Sequence, residues 1–340
     1  MKIVLTGSQG FIGGYVVEEL LANGHHVTGI DNFSKYGRLD KAHDKHPNFQ
    51  LYEMNLEEKC DLYDVLKDAD HLIAGAAKIG GITYFHKFAY DLLAKNERIL
   101  ANTCDAAIQA HRKGQLQKVT YISSSMVFEN ANSFPSKEGD ERMIPPPGSS
   151  YGFQKLATEY FARAAWDQYK IPFTIVRPFN CIGIGEGRAL SESYEKSGNI
   201  QLAMSHVVPD LIQKILKGQK PLRILGNGTQ IRHYTYGGDL ARGIHLAMIS
   251  PKALNEDFNL STDAAHTVKE LAAEIYQKIN TTSQPLTIES DDPFEYDVQQ
   301  RSPSTLKAQQ VLNFQATTSL SEALDEIIPW VRTAVERGLI

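Results

Sequence analysis

The sequence predicts an α/β fold, a doubly wound parallel sheet with a smaller, mainly C-terminal substrate-binding domain, and three observations predict it. From Met1 to about Arg177, apolar runs of strand length alternate with stretches of helical periodicity. The first run ends in a glycine-rich turn that opens a helix, which makes the sheet one of Rossmann type. After Asn180 the alternation stops. The expected division gives 1–179 with 230–262 to the sheet domain and 180–229 with 263–340 to the second domain.

Lys2 to Thr6 is an apolar run that reads as the first strand, followed by Gly7-Ser8-Gln9-Gly10-Phe11-Ile12-Gly13 and then by helical spacing from Tyr15 to Ala22. Gly7 and Gly10 let the backbone turn tightly and approach a pyrophosphate, and Gly13 lets the helix sit close on the strand. A second strand, His26 to Ile30, ends at Asp31. A carboxylate there accepts hydrogen bonds from both hydroxyls of an adenosine ribose and repels a 2′-phosphate, so NAD is favoured over NADP. His71 to Ala74, Lys118 to Ser123 and Phe173 to Val176 continue the strands. Helices are expected over Asn96 to His111, Ser150 to Gln168 and Leu320 to Val335. Pro145 to Gly148 and Gly183 to Gln201 read as loops beside a site.

The bulk composition narrows the function classes. With 340 residues and 42% hydrophobic content, the chain has an ordinary globular core. Its net charge of −5 comes from interspersed acids and bases, with no basic block of the kind that tracks nucleic acid or acidic lipid. Cys60, Cys104 and Cys181 are too few and too scattered for a disulfide framework or a zinc site, so no metal is expected and a reducing compartment is. A strand beginning at Lys2 leaves no room for a signal peptide, and no apolar stretch approaches bilayer length, so the expectation is a cytoplasmic protein.

Tyr151 and Lys155 stand four residues apart in a helical segment, which puts both on one face. A phenol is a poor base near neutrality, but a neighbouring ammonium and a cationic nicotinamide would both favour its phenolate. Such a pair can take a proton from a sugar hydroxyl while a hydride leaves the same carbon.

Together these residues resemble the extended short-chain dehydrogenase/reductase family, specifically its nucleotide-sugar epimerases and dehydratases, over nearly the full length. The resemblance implies a cofactor loop at Thr6 to Gly13, including Phe11 and Ile12, and a ribose corner at Asp31-Asn32-Phe33. It implies adenine contacts at Asn55 and Leu56, where the family usually has Asp for Asn55. It further implies cofactor contacts from Ala74, Ala76, Asn96, Tyr151, Lys155 and Pro178. Ser124 matches the family's catalytic hydroxyl, so the implied catalytic set is Ser124, Tyr151 and Lys155. Ser125, Met126, Asn180, Arg232 and Arg301 are implied on the substrate side, the two arginines being suited to a diphosphate. Lys78, His206 and Val207 lie in segments more similar to the GDP-fucose synthase and GDP-mannose 3,5-epimerase branch, and His86 is a candidate lining residue that core packing would explain equally well.

Family members that dehydrate or decarboxylate carry an acid two residues after the catalytic hydroxyl, and the fucose synthase branch carries a cysteine; this chain has Met126. A thioether holds no transferable proton. What remains suffices for removal and return of a hydride, so the expected activity is NAD-dependent epimerisation of a nucleotide-diphosphate sugar, most simply inversion at C4 through a 4-keto sugar. The alternatives are a GDP-sugar 3,5-epimerase or reductase with His206 as acid, another nucleotide-sugar dehydratase, or a catalytically silent NAD-binding sensor. The resemblance also implies a homodimer formed by the helices of Asn96 to His111 and Ser150 to Gln168, through stripes that include Ile99, Ala106, Ala107, Leu156, Tyr160 and Ala164.

Overall fold

A computed structural model describes residues 1–79, 88–187, 196–197, 200–201, 206–280, 285–292 and 298–338. Its centre is a seven-stranded sheet, parallel at every junction. β1 (Lys2–Thr6), β2 (His26–Asp31) and β3 (Phe49–Glu53) run outward on one side, and β4 (His71–Ala74), β5 (Lys118–Ile122) and β6 (Phe173–Pro178) on the other, with the strand Glu256–Leu260 at the edge beyond β6. The strand order reverses between β1 and β4. That switch point opens a crevice beyond the carboxyl ends of the strands, where α/β sheets bind their ligands.

Helices cover both faces. α1 (Phe11–Ala22) packs with the helix Gly237–Ile249 over one apolar core, built on Ile3, Leu5, Val17, Ile244 and Phe258. α2 (Leu62–Leu66), α3 (Ala89–Arg112) and α4 (Ser150–Tyr169) cover a second core on the other face, around Leu72, Val119, Tyr121 and Ile175. A third core lies away from the sheet. There the helices Val207–Leu216, Val268–Ile279 and Leu320–Glu336 pack through Leu211, Ile212, Leu271 and Leu324. The last helix begins as its sequence requires: the Ser319 side chain accepts from the Glu322 amide, and the Glu322 carboxylate accepts from the Ser319 amide.

Two strands of this sheet escaped the sequence pattern, both at its rim. β3 is half exposed, so it shows no continuous apolar run. The strand Glu256–Leu260 is buried from Asp257 onward, yet two of its residues are polar, because its neighbours supply partners. The Asn259 side chain donates to the Ser136 and Ser304 carbonyls, and Asp257 belongs to an ion cluster. A short antiparallel pair, Lys196–Ser197 with Ile200–Gln201, also lies inside the stretch expected to be loop. Of the stripes expected to face a partner, Ile99, Ala106, Ala107 and Leu156 are instead buried within this chain. Tyr160 (62% exposed) and Ala164 remain on the surface.

The ion cluster holds α4 to the sheet. Arg177 of β6 is 0% exposed and forks onto Glu159 of α4 through two hydrogen bonds of 2.7 Å. The same guanidinium meets Asp257 at 2.7 Å and Glu141 at 3.1 Å, while Lys307 donates to the other Asp257 oxygen at 2.8 Å. Glu141, Glu159 and Asp257 converge closely enough to suggest a cation site, and Arg177 supplies the cation. Burial would raise the Asp257 carboxyl, but Arg177 and Lys307 outweigh it and hold the group well below the usual carboxylate range.

Removing the guanidinium would leave Glu141, Glu159 and Asp257 to Arg163, at 3.3–3.5 Å, and Asp257 to Lys307 as well, so Arg177→Met should cost about 3–5 kcal/mol of stability, read as a lowered urea midpoint. Because Asp257 has a depressed folded pKa, its contribution is present above the unfolded value of about 3.9 and is lost as pH falls below it. The stability of the wild type should therefore decline below about pH 4, and that of Asp257→Asn should decline less steeply.

Candidate active site

One cleft runs along the carboxyl ends of β1, β2, β4, β5 and β6. At its β1 end, Gly7 has φ +78°, a conformation open to glycine. A Cβ on Gly13 would lie 2.0 Å from the Gly7 carbonyl oxygen, so the start of α1 can sit this close only without a side chain. Thr6 Oγ1 accepts from the Gly75 and Ala76 amides, both at 3.1 Å, and so ties the β1 turn to the end of β4. Gly7, Gly10, Phe11, Ile12 and Gly13 all line the cleft, as do Asp31, Asn32, Leu56 and Ala76. Asp31 accepts from the Gln9 amide at 3.0 Å and the Phe33 amide at 2.8 Å, which fixes its carboxylate at the cleft wall with lone pairs to spare for a diol. A glycine turn with no room for a Cβ at Gly13, ending beside an oriented carboxylate, fits a dinucleotide. These are the residues that would hold NAD.

Asn55, Ala74 and Asn96 lie behind the lining rather than in it. The Asn55 carbonyl accepts from the Asn32 side chain at 3.2 Å, so it acts on the ribose corner at one remove. Asn96 is buried and clamps the backbone of Lys78, accepting from its amide at 2.6 Å and donating to its carbonyl at 2.9 Å. His86 lies outside the described residues.

On the β5 side, Ser124 caps the short 3-10 helix Ser125–Phe128, its Oγ accepting from the Met126 amide at 3.2 Å. Ser149 caps α4 by accepting from the Gly152 amide at 3.0 Å, which starts the helix so that Tyr151 and Lys155 face the cleft one turn apart. Tyr151 and Ser124 are hydrogen-bonded partners. Burial pushes the phenol up; the Ser124 hydrogen bond and the Arg301 charge oppose it. Lys155 stands one turn further on, with a partner of its own in β5. Its Nζ donates to the Ile122 carbonyl at 3.0 Å, lies 5.9 Å from the centre of the Tyr151 ring, and is pulled down to about 8 by burial.

Ser125, Met126, Lys78, Pro178, Asn180, Arg232 and Arg301 complete the wall together with His206 and Val207, at the start of the helix Val207–Leu216. Met126 is buried. Sequence reasoning missed two carboxylates here. Glu186 is buried against His206 Nδ1, and Glu129 accepts from the Ser149 amide at 2.8 Å. Both border segments already read as loops, but no motif distinguishes an acid in a loop that turns inward. A third unforeseen residue is Lys41, whose Nζ donates to the Gly10 carbonyl at 3.1 Å beneath the dinucleotide loop.

Asp31 sets the expected cofactor choice. NAD should bind about tenfold or more tightly than NADP, measured by calorimetry, and Asp31→Asn should narrow the gap; equal affinities in the wild type would refute the role.

The model of the NAD dependent epimerase/dehydratase family matches residues 3–261. The chain is 26% identical to the UDP-N-acetyl-alpha-D-glucosaminuronate decarboxylase of Bacillus cytotoxicus over 97% of its own length and 98% of that protein. Among solved structures, it is similar to UDP-glucuronic acid 4-epimerase from Bacillus cereus, in complex with UDP-glucuronic acid and NAD (TM-score 0.82, 25% identity, 98% and 99% of the two chains covered). It is also similar to the UDP-glucose 4-epimerase of Thermotoga maritima with UDP-glucose (TM-score 0.79, 26% identity, 98% and 100% covered). The cofactor is NAD, and the chain belongs to the NAD-dependent epimerase/dehydratase family of nucleotide-sugar enzymes.

Proposed function

We propose that this protein inverts C4 of a nucleotide-diphosphate sugar through a transient 4-keto sugar. The observation that carries the reading is the lining between β5 and α4: Ser124, Tyr151 and Lys155 share one wall, while buried Met126 occupies the position at which dehydrating and decarboxylating relatives keep an acid. NAD, held by the turn of Gly7 to Gly13 and by Asp31, would supply the hydride acceptor and donor for C4. Tyr151 accepts the C4 hydroxyl proton as the ketone forms and returns it after the sugar has turned. Ser124 hydrogen-bonds the same oxygen and keeps the phenol aimed at it. The backbone anchor on Lys155 holds an ammonium beside this oxygen. Arg232 and Arg301 offer planar forks to a diphosphate, and Asn180 is a further polar group on the substrate side. In this division of labour 1–179 with 230–262 serves the cofactor and 180–229 with 263–340 the nucleotide sugar.

A second reading has one observation in its favour. The contact of His206 with Glu186 is the kind that fixes an imidazole's tautomer and suits it to proton transfer, as a GDP-sugar 3,5-epimerase would need.

Tyr151→Phe should retain the fold and NAD but lose about a hundredfold or more in turnover, and Met126→Leu should keep most activity. In D2O, C4 inversion leaves no solvent deuterium on carbon. Deuterium in the product, lost on His206→Asn, would replace the first reading by the second. Turnover of no nucleotide sugar by the wild type, with NAD bound, would leave the sensor reading.

We further propose a homodimer across the outer faces of α3 and α4. Phe153, Tyr160 and Ala164 lie exposed along α4, with Tyr90 exposed at the start of α3. Light scattering at micromolar concentration should give twice the chain mass, and Tyr160→Glu should shift it toward one.

A further inference from the structure

The amino ends of the sheet strands carry a cluster that the chemistry above does not use. His25, in the turn between α1 and β2, and His245, on the helix Gly237–Ile249, bring their Nε2 atoms to 3.0 Å with ring centres 5.1 Å apart. His245 is buried and His25 half-buried, so one side of the pair opens to solvent. Glu19 of α1 lies 3.6 Å from the other nitrogen of His245, and the Asn23 side chain donates to the same Glu19 oxygen at 3.0 Å. His25 Nδ1 faces the Met1 amino group at 3.4 Å. β2 carries the chain about 20 Å from this cluster to Asp31 at roughly 3.3 Å per residue, so the cluster is remote from the cleft.

We propose that His25 and His245 form a binding site for a borderline divalent transition ion such as zinc. A tetrahedral ion about 2.0–2.1 Å from each Nε2 would set the nitrogens about 3.3–3.4 Å apart and the ring centres roughly 5.2 Å apart, so the rings need to tilt but hardly to separate. Glu19 stands 3.6 Å from Nδ1 of His245, on the side from which outer-shell carboxylates approach ligating imidazoles, which favours a proton there and leaves Nε2 as the donor atom. Burial pulls both imidazoles down, His25 with further help from the Met1 ammonium and His245, so both rings are neutral at pH 7, the form that ligates. On binding, the Nε2 proton of His25 leaves to solvent and the facing Met1 ammonium passes one to Nδ1, so uptake releases one proton, and water fills the remaining positions on the open side. Two imidazoles select against Mg2+ and Ca2+, which require oxygen ligands. The ion would clip the α1–β2 turn to the helix Gly237–Ile249.

The test uses the NAD-loaded protein, cleared of metal by a chelator and titrated with Zn2+ against a chromophoric competitor. The wild type should take up one equivalent that His25→Gln and His245→Asn each lose, with Mg2+ ineffective and turnover unchanged. Glu19→Gln should keep the site but weaken it by roughly ten- to a hundredfold. Circular dichroism of the metal-free variants checks that each is folded, and the partly exposed His25 serves where His245→Asn is not. Zinc uptake that survives both histidine variants, or none by the wild type at about 100 μM, would overturn the site and leave a hydrogen-bonded histidine pair.

Discussion

The active-site geometry depends on one buried guanidinium. Arg177 lies between Val176 in the sheet core and Pro178 in the cleft wall, and it grips Glu159, one helical turn beyond Lys155. Ser123, next to the catalytic candidate Ser124, donates to the same Glu159 carboxylate at 2.8 Å. A single carboxylate thus ties together the three elements that carry Ser124, the Tyr151–Lys155 pair and Pro178. Apolar packing of α4 on the sheet would tolerate small slides along the helix axis, whereas a forked ion pair with fixed donors would not. The fully buried charge is a poor source of net stability but a good source of alignment.

The electrostatics of the cleft follow from its depth. Burial works against every charge that the chemistry uses: it raises the Tyr151 phenol and lowers the Lys155 ammonium. The protein offsets this with local partners, a hydroxyl for Tyr151 and a main-chain carbonyl for Lys155. The positive charge of a bound nicotinamide would be a further force that lowers the phenol.

Much of this was legible in the sequence, for identifiable reasons. Strands buried on both faces, such as Leu72-Ile73 and Val119 to Ile122, leave runs that are apolar but for Thr120. The glycine turn leaves a pattern because Gly13 can be nothing larger. The rim strand Glu256–Leu260 was illegible because its buried polar residues are satisfied by Ser136, Ser304 and Arg177, partners far away in sequence. The same holds within the site. Tyr151 and Lys155 share a helix, so their spacing betrays them, but the carbonyl that captures Lys155 belongs to β5, and nothing local announces it. Ile99, Ala106, Ala107 and Leu156 carry the periodicity of an apolar face, and periodicity alone does not say whether a sheet or a second subunit covers that face.

Tyr15 connects the two halves of the cleft. It stands one turn into α1, the helix that opens at the dinucleotide loop, and its hydroxyl accepts from the Ile184 amide at 2.8 Å in the loop that walls the substrate side. Its ring also fills the space that side chains on Gly183 and Gly237 would need. Any tightening of the first turn of α1 around a pyrophosphate is therefore transmitted, through one rigid ring, to the backbone against which the sugar must turn. The first turn of α1 and the backbone at Gly183-Ile184 are thus held in one fixed relation by Tyr15.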